Sequence, residues 1–299
     1  MTYIIENAHI LKDKELTINS LLIQEDKVSA NLTHSKQYQF IKMNLEPYIM
    51  TPSFVLLNSN ISPKTTHHEL KQLFKEQFLM QGSTTLFTHV PVSYESELEY
   101  KVKEMKMALI SSPIDYIIGI KIPLRHLTPS LIRKCKKEKI PAIFVEIGEH
   151  DDFKGIPWGW IREAMFPYNC PLIPIISSSK KKETKALLSN WKQIILQEKI
   201  PAIDEEISEN TPISKKVLNK IGLYPQKSSL MNGTELSYNL YFKEREIKNV
   251  DEAELFHYHG DRLVITVHKG KIVRVLNEVL FKPGFGEYVT VRTPSFFSL

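Results

Sequence analysis

The stretch Met50–Ile61, reading Met-Thr-Pro-Ser-Phe-Val-Leu-Leu-Asn-Ser-Asn-Ile, limits what this chain can fold into more than any other. Phe54, Val55, Leu56 and Leu57 form an apolar run introduced by Pro52. A run this short, apolar at every position, is the pattern of a strand buried on both faces. Ser62-Pro63 follows at once and reads as the N-cap and first-turn proline of a helix. A buried strand that passes through a short loop into a helix is a βα unit, and βα units build parallel sheets. Asn58 and Asn60 stand at the strand's C-terminal end, two residues apart, which on an extended strand points them to one side.

The pattern repeats downstream. Leu70, Leu73, Phe74 and Phe78 give a helix over 63–81 a buried face. Gly82 follows as the residue expected just past a helix end, and Ser83-Thr84-Thr85-Leu86-Phe87 opens a strand. The alternation continues with a helix at 95–111, a strand at Asp115–Ile120, a helix at 128–139 and a strand at Pro141–Ile147. A short helix at Trp158–Phe166, a strand at Pro171–Ser177, a helix at Lys180–Glu198 and a short apolar piece at Ile200–Ile203 complete it. Six strands fall within the 169 residues from 53 to 221. A full eight-unit barrel takes about 250 residues. The expected fold class is therefore α/β, with an incomplete or trimmed (β/α) TIM-like barrel. The flanks read differently. Tyr3–Asn7, Leu21–Gln24, Leu240–Phe242 and Arg262–Val267 are short β-rich runs, with Glu25-Asp26-Lys27 as a polar turn.

Several motifs along this frame resemble the amidohydrolase superfamily in its dihydroorotase and hydantoinase (dihydropyrimidinase) branch. There the first barrel strand runs Pro-Gly-Phe-Val-Asp-x-His-x-His, and Pro52, Phe54 and Val55 fit it, with Ser53 for the glycine and Leu56 for the aspartate. Gly82-Ser83-Thr84-Thr85 is similar to the Gly-x-Thr-Thr that opens the second strand, about 25 residues on. Ile221-Gly222-Leu223-Tyr224-Pro225-Gln226-Lys227 resembles Phe-Gly-Leu-Tyr-Pro-x-Lys-Gly, which follows the last barrel helix, and Lys269-Gly270-Lys271-Ile272-Val273 resembles the closing hairpin. The resemblance implies that residues 1–52 and 222–299 combine into a composite β-sandwich beside a barrel domain at 53–221.

The resemblance also says where chemistry should lie, and there the sequence departs from it. Asn58 and Asn60 replace the two metal-binding histidines, and a carboxamide oxygen is a poor zinc ligand. Ile143, Phe144 and Val145 occupy the register of the bridging lysine, leaving Glu146 as the one substitute carboxylate. No histidine occurs from 151 to 256, and Asp204 is the only late aspartate near a strand end. The residues expected to line a pocket at the mouth are Asn58, Asn60, His89, Glu146 and Ser177. No catalytic, cofactor-binding or metal-ligating residue is assigned. Asparagines after a strand more often cap backbone groups, and that is the preferred reading of Asn58 and Asn60.

Four other features are weaker. His257-x-His259 has metal-ligand spacing without further ligands nearby. His67 and His68 are adjacent on a helix and share no face. Lys180-Lys181-Lys182 could receive an anion but reads better as a solvated run behind a serine N-cap. Cys135 sits among cations that would favour its thiolate, with no base assigned. The net charge of +5 is spread among scattered lysines and glutamates, which disfavours a nucleic-acid partner. No apolar run reaches the roughly 18 residues of a membrane span, the N-terminus carries no signal-peptide pattern, and two cysteines make no disulfide framework. The expectation is a cytoplasmic, non-catalytic amidohydrolase homologue without a cofactor. It would act as a structural, regulatory or ligand-binding protein, alone as a homo-oligomer or with a protein partner. The alternative is a metal-dependent hydrolase of cyclic amides with a rebuilt site, and only that alternative calls for zinc.

Overall fold

The computed structural model of the 299-residue chain describes residues 1–12, 14–32, 37–178, 180–243 and 250–294. Its N-terminal strands are β1 (Thr2–Lys12), β2 (Glu15–Gln24), β3 (Lys27–Leu32), β4 (Ile41–Asn44) and β5 (Tyr48–Pro52). Ser53 separates β5 from β6 (Phe54–Leu57), and the chain then alternates. The next elements are α1 (His67–Leu73), β7 (Ser83–Pro91), α2 (Leu98–Ala108), β8 (Asp115–Pro123), α3 (Pro129–Lys137) and β9 (Ile143–Gly148). They are followed by α4 (Trp158–Met165), β10 (Leu172–Ser177), α5 (Lys181–Gln197) and α6 (Lys215–Ile221). The C-terminal part holds β11 (Tyr238–Phe242), α7 (Glu252–Tyr258), β12 (Leu263–His268), β13 (Lys271–Val275) and β14 (Glu278–Val279).

The helix boundaries follow local chemistry. The first helix starts later than Ser62-Pro63 suggests: Ser62 to Thr65 close a turn, and Thr66 is the N-cap. Thr66 and Glu69 form a capping box, with the Thr66 N–H donating to Glu69 Oε2 at 2.8 Å, which satisfies two orphan donors at once. The helix widens into a π turn at Phe74–Phe78 and ends in Gly82, left-handed at φ 75°, as the sequence predicts. Thr128 caps α3 and Ser214 caps α6, each accepting a backbone N–H three residues on.

Five strands, β6 to β10, form a parallel sheet in chain order, a curled half-barrel. Its outer face carries Leu86, Ile118, Ile120, Val145 and Ile147 into the main core with the helices. Its inner face carries Val55, Leu57, Phe87, Ile117, Phe144 and Ile173, which pack with Leu218 and Ile221 of α6. The sixth expected strand, Ile200–Ile203, is instead the start of a strap. Pro201 O accepts from Leu172 N, Ile203 N donates back to Leu172 O, and Ile176 N donates to Glu206 Oε1 at 2.8 Å. The same strap then reaches the opposite edge, where Asn210 N donates to Leu57 O and Ile213 N to Val55 O. Residues 201–213 thus cover both free edges of the half-barrel, edges that would otherwise present unpaired backbone groups.

Both chain ends contribute to one nine-stranded sheet, ordered β14-β13-β12-β11-β5-β1-β2-β3 with β4 on β1. β1 runs parallel to β4 and β5, and the other pairings are antiparallel. Ile5, Leu21, Ile23, Met50, Tyr238, Leu240 and Val267 share one core beneath it. Among the described residues no helix is long and apolar enough to cross a membrane.

Candidate functional site

The C-terminal ends of β7 to β10 bring four polar side chains together. Alternation along each strand turns His89, Lys121, Glu146 and Ser177 to the inner face, above Phe87, Phe144 and Ile173. Lys121 Nζ lies 3.2 Å from Glu146 Oε1, and Ser177 Oγ donates to the same oxygen at 3.1 Å. The His89 ring lies 4.6 Å from that of Phe144, centroid to centroid. His89 is 7% exposed, and its Nδ1 has no hydrogen-bond partner among the described residues. Burial, reinforced by the Lys121 ammonium, pushes its pKa down to about 4, so the imidazole is neutral at physiological pH.

Three of the five expected pocket residues therefore meet, and two do not join them. The strand ends at Leu57, so Asn58 and Asn60 are not held side by side on an extended backbone. Asn58 is fully buried. Its Nδ2 donates to Gln77 Oε1 at 3.0 Å and to Asn210 Oδ1 at 2.8 Å, and its Oδ1 accepts the Asn60 N–H at 3.1 Å. Asn60 is exposed. This is the backbone-capping role preferred from sequence, extended by a tie to the strap. Glu146 is a paired charge: Lys121 occupies its approach. Nothing in the composition singled out Lys121, and the only signal was a lysine interrupting the apolar run Ile117–Pro123.

The metal that the resemblance implies does not fit these residues. Phe144 fills the inner face where a bridging ligand would project, and Asn58 has its carboxamide committed to three hydrogen bonds. His89 is the one imidazole on that face among the described residues. Elsewhere, Asp115, Glu235 and His268 each bring a ligand atom within 4.8 Å of one another, at the opposite end of β8. That space already holds the protein's own cations. Lys227 Nζ bonds Asp115 Oδ2 and lies 2.6 Å from Glu235 Oε2, and Lys269 Nζ lies 2.8 Å from Asp115 Oδ1. The Glu287 N–H donates to the same Oδ1 at 2.8 Å. Burial alone would raise the pKa of Asp115, but His268 and Lys227 override it and hold the carboxyl far below the usual range. Lys227 is the lysine of the Gly-Leu-Tyr-Pro-x-Lys motif, so that motif serves to pin the barrel to the sheet.

The weaker candidates resolve as follows. His257 lies in the last turn of α7 and is exposed, and His259 is its C-cap, so the two lie at a helix end and not on a strand. Cys135 is buried, and burial raises its thiol pKa well above the usual value, against the thiolate expected from its lysine neighbours. Lys180 pairs with Glu183 at 2.8 Å, Lys181 and Lys182 are exposed, and Ser179 lies outside the described residues. Asp204 sits 3.9 Å from Lys192, away from the mouth cluster.

No family profile matches the chain, and no curated protein matches it in sequence. Solved structures do match. A D-hydantoinase superposes with a TM-score of 0.60 at 11% identity, covering 99% of this chain and 100% of that one. The dihydropyrimidinase from Brevibacillus agri NCHU1002 gives 0.61 at 12% identity, with the same coverage. The L-hydantoinase (dihydropyrimidinase) from Arthrobacter aurescens gives 0.54 at 12% identity, covering 97% of this chain and 100% of that one. The chain thus has a hydantoinase-like fold, a parallel half-barrel with a mixed sheet beside it.

Proposed function

We propose that this protein is a non-catalytic homologue built on the amidohydrolase-type fold, serving as a structural, regulatory or ligand-binding protein. The observation that carries the reading is the state of Asn58. At the position where the resemblance asks for a metal-binding imidazole, a buried carboxamide spends its donors on Gln77 and Asn210 and its acceptor on Asn60. Hydrolysis of a cyclic amide by this fold's kin needs a metal to make hydroxide near neutral pH. A side chain whose polar atoms are all committed to holding a loop cannot serve that metal. Beneath it the inner face is apolar, with Val55, Leu57, Phe87, Phe144 and Ile173 packed with Leu218 and Ile221 of α6.

Elemental analysis of the purified chain, paired with a turnover assay on hydantoin and dihydrouracil with and without added zinc, tests the reading. The expected outcome is no stoichiometric divalent metal and no ring opening. About one or two metal ions per chain together with turnover would establish the alternative, a C–N hydrolase with a rebuilt site.

A further inference from the structure

On the side of the half-barrel away from the mouth, below the start of β10, α5 and α6 line an open cavity of about 690 Å³. Four lysines reach its wall from separate parts of the chain: Lys192 and Lys199 from α5 and its end, Lys216 and Lys220 from α6. Asp204 is the only carboxylate among the lining residues, and it stands 3.9 Å from Lys192. The floor is aliphatic, made of Ile195, Ile200 and Ala202, all buried. Lys216 and Lys220 are one helical turn apart, a spacing at which like charges repel. Lys220 Nζ is fixed by the Ala202 carbonyl at 2.9 Å, and burial followed by the Lys216 charge lowers its pKa. The wall is thus predominantly positive, four lysines against the one carboxylate of Asp204, beside an apolar floor. Its volume lies in the range of about 300–1,000 Å³ typical of small-molecule sites.

We propose that this cavity binds a small organic phosphate, with the phosphoryl group among Lys192, Lys216 and Lys220 and the organic part on the Ile195–Ile200–Ala202 floor. A phosphate monoester carries close to two negative charges and three acceptor oxygens, which suits several separate ammonium groups better than one carboxylate does. The floor gives such a ligand an advantage over bare phosphate, and the volume leaves room for it. Pro201 and Ala202, where the strap pairs with Leu172 at the start of β10, complete the wall between α5 and α6.

Calorimetric titration of the full chain with phenyl phosphate, inorganic phosphate and benzoate tests this. Phenyl phosphate should bind more tightly than either of the others, and its affinity should fall as salt is raised. Lys216→Gln and Lys192→Gln, both at exposed positions that leave the fold intact, should each weaken it about tenfold, while Lys182→Gln on the far end of α5 should change nothing. Lys220→Gln should weaken it at least as much, and circular dichroism of that variant separates loss of the site from loss of the fold. Failure of phenyl phosphate to bind, equal binding of benzoate, or binding indifferent to both Lys216→Gln and Lys192→Gln would each overturn the proposal. None of these outcomes bears on metal content or ring hydrolysis, so the reading of the mouth stands or falls separately.

Discussion

Asn58 and Asn210, 152 residues apart in sequence, meet at 2.8 Å where the end of the first half-barrel strand touches the strap. The same carboxamide holds Gln77 at 3.0 Å and the Asn60 N–H at 3.1 Å. One side chain thus joins a strand end, the helix that follows it and the segment that covers the sheet edge. Asn58→Ala removes all three bonds at a fully buried position, while Gln77, Asn60 and Asn210 are exposed and turn to water, and the expected loss is about 1–2 kcal/mol of stability. Urea unfolding checks this. Asn58→Ala combined with Asn210→Ala should cost less than the two single losses added together, because the pair shares one bond.

Placing histidines at both positions should not create a metal site. Asn60 is exposed and Asn58 is enclosed, so Asn58→His with Asn60→His places its two rings in different environments, beside a packed inner face. A zinc titration should leave the melting temperature of the double variant unchanged, since only a ligand that binds the native state raises it. A zinc-dependent rise of several degrees would show that the frame can converge on a metal.

His89 should make the fold acid-sensitive in a defined window. Its pKa falls from 6.5 to about 4 in the folded state, through burial first and Lys121 second, with Glu146 partly opposing. Between those values the unfolded chain binds the proton and the folded chain does not, so stability is full near pH 7 and falls as the pH drops towards 4. For this one group the loss at pH 5 is about 2 kcal/mol. Denaturant midpoints measured at pH 7 and pH 5 should differ accordingly in the natural sequence. In His89→Phe, which keeps a ring against Phe144 without a titrating nitrogen, the contribution should vanish.

Much of this arrangement was legible in the sequence, and the reasons for the rest are physical. The buried run Phe54–Leu57, the left-handed Gly82 and the βα alternation announce themselves because local pattern and tertiary structure agree. The meeting of His89, Glu146 and Ser177 follows from strand ends being neighbours in a parallel sheet. The strap did not announce itself. Ile200–Ile203 reads as a sixth strand and nothing marks the residues after it, because the pairing of 201–213 with β10 and β6 consists of isolated bridges without apolar alternation. The Asp115 network was equally hidden, because its members lie up to 172 residues apart and each lysine alone reads as a surface charge. The start of the first helix was misplaced because Ser62-Pro63 and Thr66-x-x-Glu69 are rival caps, and the second satisfies two backbone donors where the first satisfies one.

Asp115 is the buried anion on which Lys227 and Lys269 converge, so Asp115→Asn leaves each partly buried ammonium group with one carboxylate in place of two, Glu235 for Lys227 and Glu287 for Lys269. A loss of about 2–3 kcal/mol is expected, less than for a buried charge left wholly unpaired. The pH dependence has the opposite origin to that of His89. Asp115 has a folded pKa far below its usual 3.8, so its contribution is complete above about pH 4 and drains away as the pH falls further. Acid titrations followed by circular dichroism should show the natural sequence losing stability below pH 4, with a shallower slope in Asp115→Asn. Chelators should leave both unchanged, because the cations of this cluster are lysines.

Gly82 and Gly233 separate backbone strain from steric contact. Both are left-handed, at φ +75° and +84°, so a side chain at either carries the cost of that region, about 1–2 kcal/mol. A Cβ on Gly233 meets nothing within 4 Å, whereas a Cβ on Gly82 would lie 2.7 Å from both polar atoms of the Asn239 carboxamide. That carboxamide cannot swing away. Its Nδ2 donates to the Gly82 carbonyl at 2.9 Å, its Oδ1 accepts from Thr266 Oγ1 at 2.9 Å, and the side chain is fully buried between half-barrel and sheet. Gly233→Ala should therefore cost only the backbone term, while Gly82→Ala should cost that and a further 1–3 kcal/mol or so from overpacking. If the two substitutions lower the denaturant midpoint equally, Asn239 yields and does not lock the junction. If Gly82→Ala is the costlier, replacing Asn239 by Ala as well should recover part of the difference, because the same change removes the atoms the new methyl group strikes.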